Sequence, residues 1–140
     1  DFSFLDGWED RYKYLIELGG QLPRFSDEQK KDEWKVPGCQ SQVWIIPHYS
    51  ENGISFEGDS DAIIVRGIIA VVLEIFKDKS AQEILDIDVE EIFDKMGLRE
   101  HITPNRRSGM LSMVDKIKYY AAQALKGQNE YSRISGKKDF

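Results

Sequence analysis

The most reactive side chain in this sequence belongs to its single cysteine, Cys39, in the stretch VPGCQSQVW. Pro37 fixes one backbone angle and Gly38 permits conformations that other residues avoid, so the pair predicts a turn directly before the cysteine. A strand-like run begins near Gln42, and we expect the turn to carry Cys39 into solvent. A thiolate in such a position is a nucleophile. The alternative interpretation is that Cys39 only packs the loop.

The residues that follow Cys39 suit a reactive thiol. Gln40, Ser41 and Gln42 are polar side chains that can hydrogen-bond a thiolate or a polar adduct. A free thiol has a pKa of about 8.5, so a nearby cation or dipole that lowered this pKa would raise its reactivity at neutral pH. The sequence alone names no group that would do this.

The chain has two histidines, and we ask whether either could act with Cys39 in another kind of site. His48 follows Cys39 along a predicted strand, at a separation of about 30 Å if that strand is straight, so it is not the base of a Cys–His pair. His101 would reach Cys39 only through the fold, and no third residue is evident to orient it. A cysteine hydrolase is therefore weakly supported. One cysteine and two scattered histidines also lack the ligand spacing of a structural metal site, which takes about four ligands.

Composition excludes several further classes. The chain has 140 residues, enough for one domain with a core of its own. It carries 19 basic and 25 acidic residues and a net charge of −6, whereas sequence-independent nucleic-acid binding needs clustered positive charge. The longest apolar run, residues 68–73, is far shorter than the ~20 residues that span a bilayer. We expect neither nucleic acid nor membrane as a partner.

The same features bear on the compartment. A single cysteine excludes an intrachain disulfide, so the fold needs no oxidising environment. Acidic residues occupy the N-terminal region where a secretory signal would be basic. We therefore expect a cytoplasmic protein. Since the sequence does not begin with methionine, an organellar location applies instead if a targeting peptide was removed.

The elements that must position Cys39 follow from hydrophobic periodicity and turn signals. Residues 6–20 predict a first helix, followed by a polar loop with one helical turn around residues 27–31. Asn52-Gly53 predicts a tight turn between two strand-like runs. We therefore expect a β-hairpin over residues 42–57.

A nearly continuous apolar helix is predicted next, from Ala62 to Phe76. A helix that is apolar on almost every side is usually central and buried. Asp59, Ser60 and Asp61 precede it and predict a cap that places negative charge at its N-terminus. Asp61 has a second interpretation, as part of a contact surface.

Three more helices complete the predicted order. Ser80 with Glu83 and Asp88 with Glu91 have the spacing of capping boxes and each predict a short helix. Thr103-Pro104 predicts the start of the last helix, with threonine as N-cap and proline in the first turn.

The predicted order of elements is αββαααα, and the fold class is α+β. We expect a small antiparallel sheet, made of hairpin 42–57 with at most one more strand, packed against helices. Residues 1–126 are predicted to form a single domain. Residues 127–140 have no sustained hydrophobic period and predict a flexible C-terminal tail.

Arg106 and Arg107 lie in the first turn of the last predicted helix, where the helix dipole disfavours cations. That placement is typical of residues that face a partner or an anion. The alternative is a solvated pair on the surface.

Four segments of this chain resemble the SufE family of sulfur-acceptor proteins: RYKYLIELGGQLP, VPGCQSQVWI, FEGDSDAIIVRGIIAVV and IFDKMGLREHITPNRRSG. They occur in the family's order, and the likeness runs from about Phe4 to Leu125. The resemblance implies an α+β fold similar to the U-type scaffold proteins on which iron–sulfur clusters are built. Those scaffolds hold a cluster with three cysteines, and this chain has one. The resemblance therefore implies that this chain carries sulfur and does not assemble a cluster.

By that resemblance, Cys39 accepts persulfide sulfur from a pyridoxal-phosphate-dependent cysteine desulfurase of the SufS type. The sulfur then passes to an iron–sulfur scaffold complex. The chain itself would need no cofactor and no metal, and would act as a transpersulfidation partner that enhances desulfurase turnover, not as a stand-alone enzyme.

The resemblance also implies supporting roles for other residues. Family members tend to tuck the cysteine against the body when alone and to expose it when bound, and Gly38 would serve as a hinge for this movement of the cysteine loop. Arg106 matches a family position close to that loop, and Asp61 would bind the partner or stabilise the loop. Two alternatives stay open. The chain is a binding module that only activates the desulfurase, with Cys39 incidental, or it is a cysteine-dependent hydrolase.

Overall fold

The computed structural model describes residues 7–50, 53–97 and 102–139 of the chain. In this part of the chain the elements follow the predicted order, with one short 3-10 helix added. They are α1 (Gly7–Gly20), the 3-10 helix (Asp32–Trp34), β1 (Val43–Ser50), β2 (Gly53–Ser60), α2 (Ile63–Phe76), α3 (Ala81–Asp86), α4 (Val89–Lys95) and α5 (Pro104–Asp139). The fold is α+β, as the sequence predicts.

The sheet is the predicted β-hairpin. β1 and β2 pair antiparallel, from Val43 opposite Ser60 to Ser50 opposite Gly53. β2 therefore continues three residues beyond the predicted limit of 57. Asn52, on which the prediction of the turn rests, lies outside the described residues.

The segment between α1 and β1 covers one edge of the hairpin. It contains the predicted helical turn, in which the Lys30 N–H donates to the Ser26 carbonyl at 3.2 Å. The 3-10 helix follows and was not predicted. The optional third strand is absent from the described residues, and an isolated bridge between Lys35 and Trp44 takes its place.

α2 is the central buried helix, as predicted. It packs against both α1 and β2, and its buried apolar residues are Ile64, Val65, Ile68, Ile69, Val71, Val72 and Phe76. α1 and α2 approach so closely that a Cβ atom at Gly67 would lie 2.2 Å from the carbonyl oxygen of Leu15. A glycine is required there because a side chain would overlap the backbone of α1.

The start of α2 differs from the prediction of an acidic cap. Asp59 and Ser60 belong to β2, and the N-cap residue of α2 is Ala62, which makes no side-chain capping bond. Asp59 is buried and forms an ion pair with Arg66 of α2, with 2.8 Å between Oδ1 and Nε. The cap prediction is wrong because strand pairing continues to Ser60 and carries Asp59 into the interior.

The remaining helices begin as predicted. Ser80 and Glu83 form a complete capping box at α3, and the Asp88 side chain accepts from the N–H of Glu91 at α4. Thr103 caps α5 by accepting from the Arg106 N–H at 3.3 Å.

α5 continues past residue 127, where the sequence predicts the start of the tail, to Asp139. A glycine at position 127 weakens a helix by only about 1 kcal/mol, so it does not by itself end one. The flexibility of residues 127–140 and the single-domain organisation of residues 1–126 stay predictions. None of the helices in the described part of the chain combines the length and the apolar character needed to cross a bilayer.

Candidate functional site

The loop of residues 37–42, which carries the cysteine, is held firmly at its base. The Val36 N–H donates to the Val43 carbonyl at 2.8 Å. The Gln42 N–H donates to Oδ1 of Asp61 at 3.0 Å, and the Asp61 N–H donates back to the Gln42 carbonyl at 3.3 Å. These bonds extend the β1–β2 ladder by one pair and fix both ends of the loop.

Asp61 thus binds the cysteine loop. It does not cap α2, which was one of the two interpretations drawn from the sequence. Its carboxylate accepts the Gln42 N–H, which would otherwise lack a strand partner. Asp61 is exposed, so its side chain is also available at the surface. A contact with a partner stays a prediction.

The tip of the loop turns at Gly38, as the sequence predicts. Its φ of +80° lies in the left-handed region, which residues with a side chain rarely adopt. The same glycine rests on α5, because a Cβ atom added at Gly38 would lie 3.0 Å from Oγ of Ser112. The turn therefore directs the loop toward the helix.

The sulfur atom of Cys39 lies against α5 and is half-buried. Sγ donates a long hydrogen bond to the Gly109 carbonyl, with 3.6 Å between the two atoms. The expectation that the turn carries the thiol into solvent is wrong for this arrangement, because α5 passes beneath the loop tip. We call this arrangement the tucked position.

Burial raises the pKa of the Cys39 thiol above its ordinary value. Desolvation is the cause, since removing the sulfur from water disfavours its charged form. The tucked position therefore keeps the thiol protonated at neutral pH and poorly nucleophilic. In this position no group that would lower the pKa of Cys39 outweighs the effect of burial.

Cys39 faces a cleft of about 310 Å³ between its own loop, α2 and the start of α5. One wall is apolar and the rim near the start of α5 is polar. The apolar residues are Val43, Ala62, Ile64, Val65, Ile68 and Met113, and the polar ones are Gln40, Ser41, Thr103, Asn105 and Arg106. Arg106 is the only charged residue among the described residues that line the cleft.

The structure thus brings together most of the residues singled out in the sequence. Four of them line the cleft, namely Cys39, Gln40, Ser41 and Arg106, while Gln42, Asp61 and Gly38 shape the loop. Sequence reasoning missed Gly109, which contacts the sulfur. The only signal for it was a glycine inside a helix, at a position where glycine costs stability.

The other candidate chemistries lack support from this geometry. His48 lies on an exposed face of β1, paired with Glu57, and does not line the cleft. His101 lies outside the described residues. The described residues contain no group of three or more His, Cys, Asp or Glu side chains that would hold a metal ion.

Comparisons with known proteins place the chain within one family. A family model described as SufE, the Fe-S metabolism associated domain, matches residues 1–121. An uncharacterized SufE-like protein of Rhizobium etli is 53% identical over 122 residues, covering 84% of this chain and 82% of the relative. A second, from Rhizobium meliloti, is 50% identical over 122 residues, covering 84% of this chain and 87% of that protein.

A solved structure shares the fold. The solution structure of a hypothetical protein from Thermus thermophilus superposes with a TM-score of 0.74, covering 89% of this chain and 90% of the other. The two sequences are 19% identical, so the likeness extends to the fold alone.

Proposed function

The chain belongs to the SufE family, whose domain is associated with iron–sulfur metabolism, and on this premise we propose that it is a sulfur acceptor. Cys39 takes persulfide sulfur from a pyridoxal-phosphate-dependent cysteine desulfurase of the SufS type, and passes it to an iron–sulfur scaffold complex. The observation that carries this proposal is that the chain's only cysteine sits on a glycine turn, with its sulfur facing a cleft.

The transfer step is an exchange at sulfur. The Cys39 thiol first loses its proton, and the thiolate attacks the outer sulfur of the desulfurase persulfide. One S–S bond forms between Cys39 and that sulfur, while the S–S bond within the donor breaks. The donor's inner sulfur leaves as a thiolate, so no external oxidant or reductant is needed.

The cleft supports storage of the product. Its apolar wall, which includes Ile64, Ile68 and Met113, keeps water away from a sulfur atom that extends from Cys39. A persulfide is readily ionised, and Arg106 at the rim provides a positive charge for that anion. Storage thus requires the sulfur to be buried in the cleft, whereas transfer requires it to be accessible from outside.

The transfer step requires the loop tip to leave the tucked position. A half-buried, protonated thiol is a poor nucleophile, and the donor sulfur must approach it from outside. The hydrogen bonds of Gln42 and Asp61 anchor the base while the backbone turns at Gly38. Docking on the desulfurase would select the released tip.

One observation favours a second function. The thiol is half-buried with a raised pKa, as a cysteine without a chemical role would be. In that case the chain would bind the desulfurase and increase its turnover through surface contacts alone. Cys39 would then be dispensable for activation.

Both functions are separated by one experiment with the Cys39→Ser variant. The wild type, incubated with a SufS-type desulfurase and L-cysteine, should gain about 32 Da per sulfur atom in an intact-mass measurement. The serine variant should gain nothing, should keep the circular dichroism spectrum of the wild type, and should no longer increase turnover. A sulfur adduct on the serine variant would refute the acceptor role, and full activation by that variant would favour the binding module.

A further inference from the structure

We propose that Gly109 and Ser112 of α5 are positioning residues that hold Cys39 in the tucked position. The proposal rests on the proposed sulfur-acceptor function and adds to it the structural feature that sets how often the thiol is available for transfer. Neither residue carries a group that reacts. Gly109 acts through its carbonyl and through the space that it leaves on the helix surface, and Ser112 acts through its short side chain.

Gly109 leaves that space directly beneath the sulfur. It is buried, and its carbonyl accepts the S–H of Cys39 at 3.6 Å. A Cβ atom at this position would lie 3.4 Å from Sγ and 3.9 Å from Cβ of Cys39. A methyl group just fits, whereas a larger side chain would occupy the place of the sulfur.

Ser112 supports the backbone of the turn at Gly38, the residue before Cys39. Its Oγ donates to the Ser108 carbonyl within α5 at 3.1 Å, so the hydroxyl is turned toward its own helix. In that rotamer it lies 3.0 Å from where a Cβ atom of Gly38 would be. The Gly38 backbone therefore rests on Ser112, and a longer side chain at position 112 would overlap the turn.

The cysteine loop is held more firmly at its base than at its tip. Its base has three N–H···O hydrogen bonds of 2.8 to 3.3 Å, made by Val36, Gln42 and Asp61. Its tip has one long S–H···O bond to Gly109, and beside Ser112 there is no room for a side chain at Gly38. Since sulfur is a weak donor, the tip is the end that releases first.

Release changes the surroundings of the thiol in a defined direction. In the tucked position Sγ faces a helix carbonyl and the apolar residues of α2, which disfavour a thiolate. Among the described residues, Arg106 of α5 is the charged residue that lines the cleft, and Asp61 is bonded to the loop base. Moving the tip into water removes the desolvation, so a weaker hold on the tip lowers the pH at which the thiol reacts.

The test is the rate of Cys39 alkylation by iodoacetamide, measured against pH on the isolated chain. Ser112→Leu overpacks the contact with Gly38, and we expect an increase of about tenfold at neutral pH, equivalent to about 1.4 kcal/mol. The midpoint of its pH–rate profile should fall below that of the wild type. Gln123→Leu, at an exposed position of the same helix, is the matched control and should leave both unchanged.

A Ser112→Leu variant that melts like the wild type and alkylates at the wild-type rate would overturn the proposal. If that variant does not fold, Gly38→Ala makes the same overlap from the side of the loop, and an unchanged rate would be equally decisive. No desulfurase is present in this assay. A failure of sulfur transfer would therefore leave the result intact, and the two proposals fail separately.

Discussion

Replacing Asp59 by asparagine should destabilise the fold by about 3–5 kcal/mol, because it leaves the buried guanidinium of Arg66 without its counter-charge. The two side chains are 1% and 7% exposed, so water compensates neither of them. Asparagine has nearly the same shape as aspartate. The change therefore removes charge and one acceptor without creating a cavity.

The magnitude follows from the partners of the pair. Asp59 accepts the Phe25 N–H at 2.9 Å, the Ser60 N–H at 2.8 Å and Nε of Arg66 at 2.8 Å. An amide nitrogen in place of one oxygen would face an N–H donor. In either orientation of the amide Arg66 loses its counter-charge, because its other partner, the Leu22 carbonyl that Nη2 contacts at 2.6 Å, is uncharged.

The two partners are not equivalent. Arg66→Met leaves the carboxylate of Asp59 with two backbone donors, so we expect it to cost less, about 1–3 kcal/mol. Exchanging both residues for apolar ones should not restore stability, because Phe25, Ser60 and Leu22 would each lose a hydrogen-bond partner. The double variant therefore distinguishes the Asp59–Arg66 pair from buried ion pairs whose members bond only to each other.

Urea unfolding followed by circular dichroism measures these differences through the transition midpoint. Asp59→Asn should also lower the melting temperature by roughly 10–20 °C. Glu91→Gln breaks the exposed pair between Glu91 and Lys95 of α4, and should cost no more than about 0.5 kcal/mol. If Asp59→Asn costs as little as this control, the argument from burial is refuted.

Two further predictions concern titratable groups. The alkylation rate of wild-type Cys39 should rise with pH to a midpoint above that of a free thiol, because burial raises the pKa of Cys39; a pH–rate profile with a lower midpoint would contradict this. The raised pKa favours the folded state at pH values below the unfolded pKa, and this contribution is lost as pH rises through the folded pKa. Tyr120→Phe should be neutral or stabilising by up to about 1 kcal/mol in urea unfolding, since the Tyr120 hydroxyl is buried with no hydrogen-bond partner among the described residues; a loss above that amount would reveal a partner. Burial raises the pKa of Tyr120 to about 12, so an ultraviolet titration of the wild type should show a late-ionising component that the phenylalanine variant lacks.

The parts of the fold that the sequence predicted are those with local causes. The nearly continuous apolar run of α2 predicts a buried helix from composition alone, and most of its residues are buried. The capping box of Ser80 and Glu83 is complete within four residues. The end of β2 was not predictable in this way, because Gly58, Asp59 and Ser60 are poor strand formers. Asp59 is tolerated in the strand because Arg66 pairs with it in three dimensions.

In the candidate site, too, only the features with local causes were predictable from the sequence. Pro37 and Gly38 predicted the turn before Cys39, and the turn is present. The direction in which the turn points depends on Gly109, which is 70 residues away in the chain. The raised pKa of Cys39 comes from burial in the folded chain, which no local pattern around the cysteine predicts.

The end of β2 and the residue that follows it anchor two separate loops. Asp59 holds the N–H of Phe25, in the segment after α1, and Asp61 holds the N–H of Gln42, at the base of the cysteine loop. Asp59 is buried at the end of the strand and Asp61 is exposed just after it, and side chains alternate along an extended chain. An insertion or deletion of one residue at Ser60 would turn one carboxylate away from its amide. Chain length at this point is therefore as tightly constrained as residue type, and length variation in related sequences should fall elsewhere, in the connections that anchor nothing.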